Sequence, residues 1–105
     1  MDKNEAIKTA KRYVESISSK FEIESAILFG SFAKGTNNQD SDIDIAIVFK
    51  SVDDIIDLQI QLMQMRTDED LLIEPHPFKI SDFNISNPMV EEIKKNGIDI
   101  LTHAA

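Results

Sequence analysis

The segment DIDIAIVF, residues 42–49, constrains the fold most. One of its two alternating sets of side chains is entirely apolar, and the other begins with two acids and then becomes apolar as well. Successive side chains of a β-strand point to opposite faces of the sheet. One set is Ile43, Ile45 and Ile47, and the other is Asp42, Asp44, Ala46 and Val48. The β-branched residues favour a central strand, with the two carboxylates at its mouth on a single face.

Patterns in the rest of the chain predict helices and further strands around this one. The predicted helices are residues 3–20, 32–35, about 51–66 and 88–96, the predicted strands are 24–29, 42–49, 70–78 and 98–101, and residues 36–41 form a loop. The helix starts are indicated by capping residues: Asp2 with Glu5, Ser31, Ser51 with Asp54, and Asn87 before Pro88. With no repeat and no linker, we predict one α/β domain over residues 1–105.

Two of these elements have features that set their places. The strand 70–78 contains Pro75 and Pro77, which cannot donate ladder hydrogen bonds, so it should be an edge or bulged strand. The apolar residues of helix 51–66 cover an arc wider than one core-facing stripe requires. We therefore expect part of that helix to contact a partner.

Composition excludes several classes of function. Eleven basic and nineteen acidic residues give a net charge of -8, which repels a nucleic-acid backbone and suits a small nucleotide with divalent cations, or a basic protein. Without cysteine, chemistry must come from carboxylates, hydroxyls, two histidines or a bound metal. No apolar run approaches the ~18 residues of a membrane span and the N-terminus lacks an export signal, so we expect a soluble cytoplasmic protein.

Asp42 and Asp44 indicate a metal site. Two carboxylates this close repel each other, and a divalent cation such as Mg²⁺ or Mn²⁺ removes the conflict. Gly30 and Ser31 supply the complementary half, because glycine lets the backbone approach a phosphate and helix N-terminal amides point at an anion. Lys34 is a further candidate phosphate ligand, although its position is also typical of a solvated helix residue.

A third carboxylate would complete a two-metal site for phosphoryl or nucleotidyl transfer. Glu74 on the proline-bearing strand is the candidate, and either Glu74 or Asp44 would take the proton of an attacking hydroxyl. Two alternatives stay open: Glu74 as an exposed edge-strand residue, and His76, which shares its face, as either a packing residue or a residue of the cleft.

The order Gly30-Ser31, ten residues, then Asp42-Ile43-Asp44 resembles the GSx10DxD motif of the DNA polymerase β-like nucleotidyltransferase superfamily. The segments IEPHPF and NPMVEEIKKNGIDI are similar in particular to the minimal nucleotidyltransferases (MNT), which prokaryotes encode beside a HEPN-domain protein. The resemblance implies a mixed sheet of three to four strands flanked by helices. It also implies Mg²⁺, expected as two ions, at Asp42, Asp44 and Glu74, and NTP triphosphate at Gly30 and Ser31.

The resemblance further implies an activity and a partner. Members of this family paired with HEPN toxins transfer AMP from ATP to a tyrosine of the toxin and act as its antitoxin. Larger members carry an added helical domain that this chain lacks, so we expect a partner subunit or an oligomer. The alternatives are a non-catalytic antitoxin or nucleotide-binding regulatory subunit, and transfer to a small molecule such as an aminoglycoside.

Overall fold

The computed structural model describes residues 1–101, which fold around a four-stranded sheet. The helices are α1 (Lys3–Ser18), α2 (Ser31–Lys34), α3 (Ile55–Gln64) and α4 (Pro88–Asn96), and the strands are β1 (Ile23–Phe29), β2 (Ile43–Phe49), β3 (Ile73–Lys79) and β4 (Ile98–Asp99). Short 3₁₀ turns cover Asp68–Asp70 and Ile80–Asp82. The predicted class, a mixed sheet flanked by helices, is confirmed.

The sheet has the strand order β3-β2-β1-β4, with β1 antiparallel to β2 and β4, and β2 parallel to β3. The central place of β2 and the edge place of β3 were both predicted. The Ile43 amide donates to the Leu72 carbonyl at 2.7 Å, and this phase of the ladder turns the nitrogens of Pro75 and Pro77 to the open edge. On that edge the Gln59 side-chain amide donates to the Pro75 carbonyl at 2.9 Å.

Helices α1 and α3 cover one face of the sheet and form the main core with it. Buried members of this core include Ala10, Tyr13, Ile17, Leu28, Ile43, Ile45, Ile47, Leu58, Leu62 and Ile73. The Tyr13 hydroxyl donates to the Leu62 carbonyl at 2.6 Å and so joins α1 to α3. Burial raises the pKa of Tyr13, which keeps the phenol protonated as a donor.

Helix α4 lies on the opposite face and buries a smaller cluster. Its Ile93 packs against Phe29 and Ala46, with Phe78 and Phe83 beside them. Asp44 lies on this same face of β2, and its side chain stays 24% exposed. The site and the main core are therefore on opposite sides of one strand.

Two predicted helix starts are wrong, by one residue in α2 and by about four residues in α3. Ser31 is the first residue of α2 and not its cap, because the Gly30 carbonyl already accepts the first helical bond and Ser31 makes no capping bond. Helix α3 begins at Ile55, not near Ser51, because the Asp54 carboxylate accepts two first-turn amides at 3.0 and 3.1 Å. The predicted caps at Asp2 with Glu5 and at Asn87 are confirmed.

The start of the third strand was also predicted wrongly, since β3 begins at Ile73 and not at Asp70. Asp70 ends a 3₁₀ turn in which its carboxylate accepts from the Thr67 amide and hydroxyl at 3.1 and 2.9 Å. Arg12 of α1 contacts the other oxygen of this carboxylate at 3.3 Å. Asp70 is only 3% exposed, so its charge needs these partners. The contacts fix Asp70 in the turn and keep it out of the strand.

The helices described in residues 1–101 are all too short or too polar to cross a bilayer.

Candidate active site

The strand register aligns the predicted elements of the site in one row. Phe29 of β1 lies opposite Asp44 of β2, and Asp44 lies opposite Glu74 of β3. Opposite residues of neighbouring strands point to the same face. The row therefore runs from Gly30, which follows Phe29, across Asp44 to Glu74 at the sheet edge.

Gly30 contacts Asp44 so closely that no side chain fits between them. Its backbone has φ +77° and ψ -152°, a region that is essentially restricted to glycine. A Cβ at this position would also collide with the Asp44 carboxylate. Ser31 follows at the start of α2, where the first amides of a helix have no partner within it. The sequence predicts that Gly30 and Ser31 lie beside the two acids. The structure shows this close approach for one of the acids, Asp44.

His76 lies against the other side of Asp44. Its Nε2 atom forms a hydrogen bond of 3.1 Å with Asp44 Oδ1, and the two side chains are 23% and 24% exposed. The imidazole ring also packs edge-on against Phe29, with 5.0 Å between ring centroids. One ligand atom each from Asp44, Glu74 and His76 lie within 4.8 Å of one another. His76 therefore agrees with both alternatives left open for it: its ring packs on Phe29 and its Nε2 atom faces Asp44 in the cleft, the side that it shares with Glu74 on β3.

Asp42 lies outside this cluster of three. It is exposed, immediately before β2 begins, and it borders a hollow together with Glu74 and Arg66. The structure thus brings Asp44 and Glu74 together and places Asp42 at the adjoining rim.

Lys34 points to α4 instead of the acids. Its Nζ lies 2.6 Å from Glu92 Oε1, and this hydrogen bond lowers the pKa of Glu92. The lysine side chain is 44% exposed. Lys34 therefore has a structural partner, and its predicted contact with phosphate stays a prediction.

The chemistry of the cluster suits a divalent cation. Within residues 1–101, neither Asp44 nor Glu74 forms an ion pair with a lysine or arginine. Asp44 pairs only with the imidazole of His76 among the basic side chains of these residues. The two carboxylates and the imidazole are all common ligands of divalent metals. The side chains present therefore fit a metal ion.

Residues 11–104 match the family described as polymerase beta, nucleotidyltransferase. The chain belongs to this family. The match extends over most of the chain and confirms the resemblance carried by the Gly30-Ser31 and Asp42-Ile43-Asp44 motif. As a member of the polymerase β family, the protein is a nucleotidyltransferase.

Comparison with individual proteins agrees with this family. A protein of Methanocaldococcus jannaschii, named as a protein adenylyltransferase, is 28% identical over 102 residues that cover 91% of this chain and 99% of the relative. The crystal structure of a nucleotidyltransferase from Sulfolobus solfataricus covers 92% of this chain and 80% of its own, with 23% identity and a TM-score of 0.68. A toxin-antitoxin structure with AMP-PNP covers 89% of this chain and 73% of its own, with 17% identity and a TM-score of 0.60. The two structures share the fold.

Proposed function

We propose that the protein transfers AMP from ATP to a tyrosine hydroxyl of a HEPN-domain partner in the cytoplasm and acts as the antitoxin of that partner. The observation that carries the proposal is the row formed by Gly30, Asp44 and Glu74 across three adjacent strands. The row brings the backbone of Gly30, which is suited to a close approach by phosphate, beside a pair of carboxylates, and nucleotidyl transfer requires both.

Each part of the row has a separate task in this reaction. The amides at Gly30 and Ser31, with Lys34, hold the triphosphate, and Asp42, Asp44 and Glu74 hold Mg²⁺, expected as two ions, or alternatively Mn²⁺. When bound, the metal neutralises charge on the phosphate oxygens. Because the amide end of the row faces the leaving phosphates, the acceptor enters from the β3 edge.

The transfer exchanges one phosphorus–oxygen bond for another. The tyrosine oxygen bonds to the α-phosphorus of ATP, and the bond from that phosphorus to the bridging oxygen of the β-phosphate breaks. Pyrophosphate leaves with the electron pair of that bond. The carboxylate of Glu74, or that of Asp44, takes the proton of the hydroxyl.

A hollow at the β3 edge supports an aromatic acceptor. It adjoins His76, and its other lining residues are Ile55, Ile56, Gln59, Pro77, Phe78 and Met89. This mostly apolar lining suits the ring of a tyrosine better than a polycationic aminoglycoside. The net charge of -8 also favours a protein acceptor over a nucleic acid. The name of the M. jannaschii relative and the toxin-antitoxin fold relative point in the same direction.

The test is to incubate the protein with ATP, Mg²⁺ and the HEPN-domain product of the adjacent gene, and to weigh both chains by intact mass spectrometry. We expect the partner to gain the mass of one or more AMP units, and peptide mapping should place them on tyrosine. Excess chelator and Asp44→Asn should each prevent the gain. An unmodified partner that is folded by circular dichroism would contradict the proposal.

A second candidate function is inhibition of the partner by binding alone. It is favoured by Ile56 and Ile60, which are 72% and 51% exposed on α3 and agree with the wide apolar arc predicted for this helix. The double variant Asp42→Ala/Asp44→Ala separates the two candidates. Neutralisation of the partner should be lost if it depends on AMP transfer and should survive if binding is sufficient.

A further inference from the structure

We propose that His76 is a metal ligand which, with Asp44 and Glu74, forms an ion site that binds Mn²⁺ more tightly than Mg²⁺ without nucleotide. The inference concerns the metal site of the proposed function and deepens it, because the motif of acids alone predicts oxygen ligands only. It assigns a nitrogen ligand to one of the two ion positions. The other position would be bordered by Asp42 and Asp44.

The separation of the ligand atoms of His76 and Asp44, which form a direct hydrogen bond with each other, also matches that of two ligands on a shared ion. The distance of 3.1 Å between His76 Nε2 and Asp44 Oδ1 is close to the ~3.0 Å expected for two ligands at right angles, each about 2.1 Å from one ion. Glu74 has a carboxylate oxygen within 4.8 Å of both other atoms, and two ligands on opposite sides of one ion would be about 4.2 Å apart, so a small rotation of this side chain brings it to the ion. Three ligand atoms thus converge from two adjacent strands.

The sheet aligns the three ligands, and contacts fix two of them, Asp44 and His76, whereas the Glu74 side chain is exposed. Asp44 and Glu74 are register partners of β2 and β3, and His76 follows Glu74 on the same face of β3. The His76 ring is packed against Phe29, and Asp44 is packed against Gly30. This ordering of Asp44 and His76 favours binding of an ion without nucleotide, because little entropy of these two side chains is lost on binding.

The nitrogen ligand sets the metal preference. Mg²⁺ binds oxygen ligands and gives up its water reluctantly. Imidazole is a poor ligand for Mg²⁺ and a good one for divalent transition metals. A site of two carboxylates and one imidazole should therefore favour Mn²⁺ over Mg²⁺, whereas the rim position at Asp42 should not discriminate in this way.

The experiment measures Mn²⁺ bound to the full chain without nucleotide, by electron paramagnetic resonance with Mg²⁺ as competitor. We expect Mn²⁺ to bind at least 10-fold more tightly than Mg²⁺, and electron spin echo modulation should detect one coupled imidazole nitrogen. His76→Gln should lose the nitrogen signal and weaken Mn²⁺ binding by at least 10-fold. Asp57→Asn, which removes an exposed acid of α3 outside the cluster, is the matched control and should bind Mn²⁺ like the wild type.

The wild-type nitrogen signal decides the proposal even where a variant fails to fold. Absence of that signal, or equal Mn²⁺ affinity of folded His76→Gln and wild type, would overturn it. The result of the AMP-transfer assay is independent of the result for the metal site. If the protein shows the nitrogen signal but modifies no partner, the proposed function is refuted and the proposed metal site stands.

Discussion

The two faces of the central strand β2 differ in what covers them. On one face Ile43, Ile45 and Ile47 are fully buried beneath α1 and α3, in a core cluster that has 16 buried residues among those the structure describes. On the other face the cluster beneath α4 has 3 buried residues in the same part of the chain, and the site begins where that cluster ends. Stability and chemistry are thus assigned to alternate residues of the same strand.

This difference teaches that the site can be altered with little damage to the fold. The acids lie where burial is incomplete, so their removal opens no cavity and leaves no charge stranded in the core. The apolar residues between them are packed on all sides, so their truncation should act on stability first. Neighbouring positions of β2 should therefore give opposite phenotypes.

The largest effect is expected from Asp44→Asn. Loss of the carboxylate that meets Gly30 on one side and His76 on the other should lower AMP transfer by about 10³-fold, or about 4 kcal/mol of activation free energy. The midpoint of thermal unfolding should change little. Initial rates from partner mass and a thermal denaturation curve measure the two effects, and transfer at the wild-type rate would refute this assignment of Asp44.

The next variant, Ile45→Ala, should produce the opposite result. Truncation of this fully buried side chain should lower the free energy of unfolding by about 3 kcal/mol. Ile56→Ala is its matched control, because Ile56 is 72% exposed and its truncation should stay within about 0.5 kcal/mol. Urea denaturation compares them, and equal effects of the two variants would contradict the proposed division between the faces.

The two faces also show which features can be predicted from sequence. Three features could be predicted from local properties of the sequence. The alternation of side chains predicts that both faces of β2 are buried and that its acids lie at the start of the strand, and the missing N–H groups of the prolines predict that β3 is an edge strand. The contact of His76 with Asp44 could not be predicted, because it joins residues 32 positions apart and depends on the register of a parallel pair. The Asp70 turn had a local signal in the spacing of Thr67 and Asp70, which cap each other, and only its contact with Arg12, 58 positions away, was beyond the sequence.

The capping errors have a more local cause. Ser31 and Ser51 both have the hydroxyl of a helix cap, but Ser31 is the first residue of α2, and Ser51 lies before α3, whose cap is Asp54. In α2 the deciding factor is the Gly30 conformation, which starts the turn one residue earlier. Gly30 adopts that conformation where it contacts Asp44. The start of α2 therefore depends on the geometry of the site as well as on the helix sequence.

An intermediate effect is expected from Gly30→Ala, with Gly35→Ala as its control. Both glycines have positive φ, +77° and +78°, but only Gly30 faces a neighbour, the Asp44 carboxylate. Gly35→Ala should cost about 1 kcal/mol of stability and leave AMP transfer intact. Gly30→Ala should cost about 2 kcal/mol and also lower transfer, because the new methyl displaces Asp44. Equal transfer by the two variants would show that the contact does not position Asp44.

The smallest effect is expected at the ion pair between Lys34 and Glu92. The partners are 44% and 36% exposed, so water and salt screen their attraction. The hydrogen bond from Lys34 lowers the pKa of Glu92 in the folded chain. Its stabilisation is therefore complete at neutral pH and disappears as the pH falls through that lowered pKa. The melting temperatures of wild type and Glu92→Gln should differ slightly at neutral pH and converge in acid.

The same pair tests whether Lys34 acts on the nucleotide as well as on the fold. Lys34→Met removes both the ion pair and any contact with triphosphate, whereas Glu92→Gln removes the ion pair and leaves the lysine in place. If Lys34 binds phosphate, the KM for ATP should rise severalfold in Lys34→Met alone, because Glu92→Gln keeps the cation free to contact the triphosphate. An equal rise in both variants would mean that Lys34 contributes only through its contact with α4, and the phosphate site would then consist of the Gly30 and Ser31 backbone.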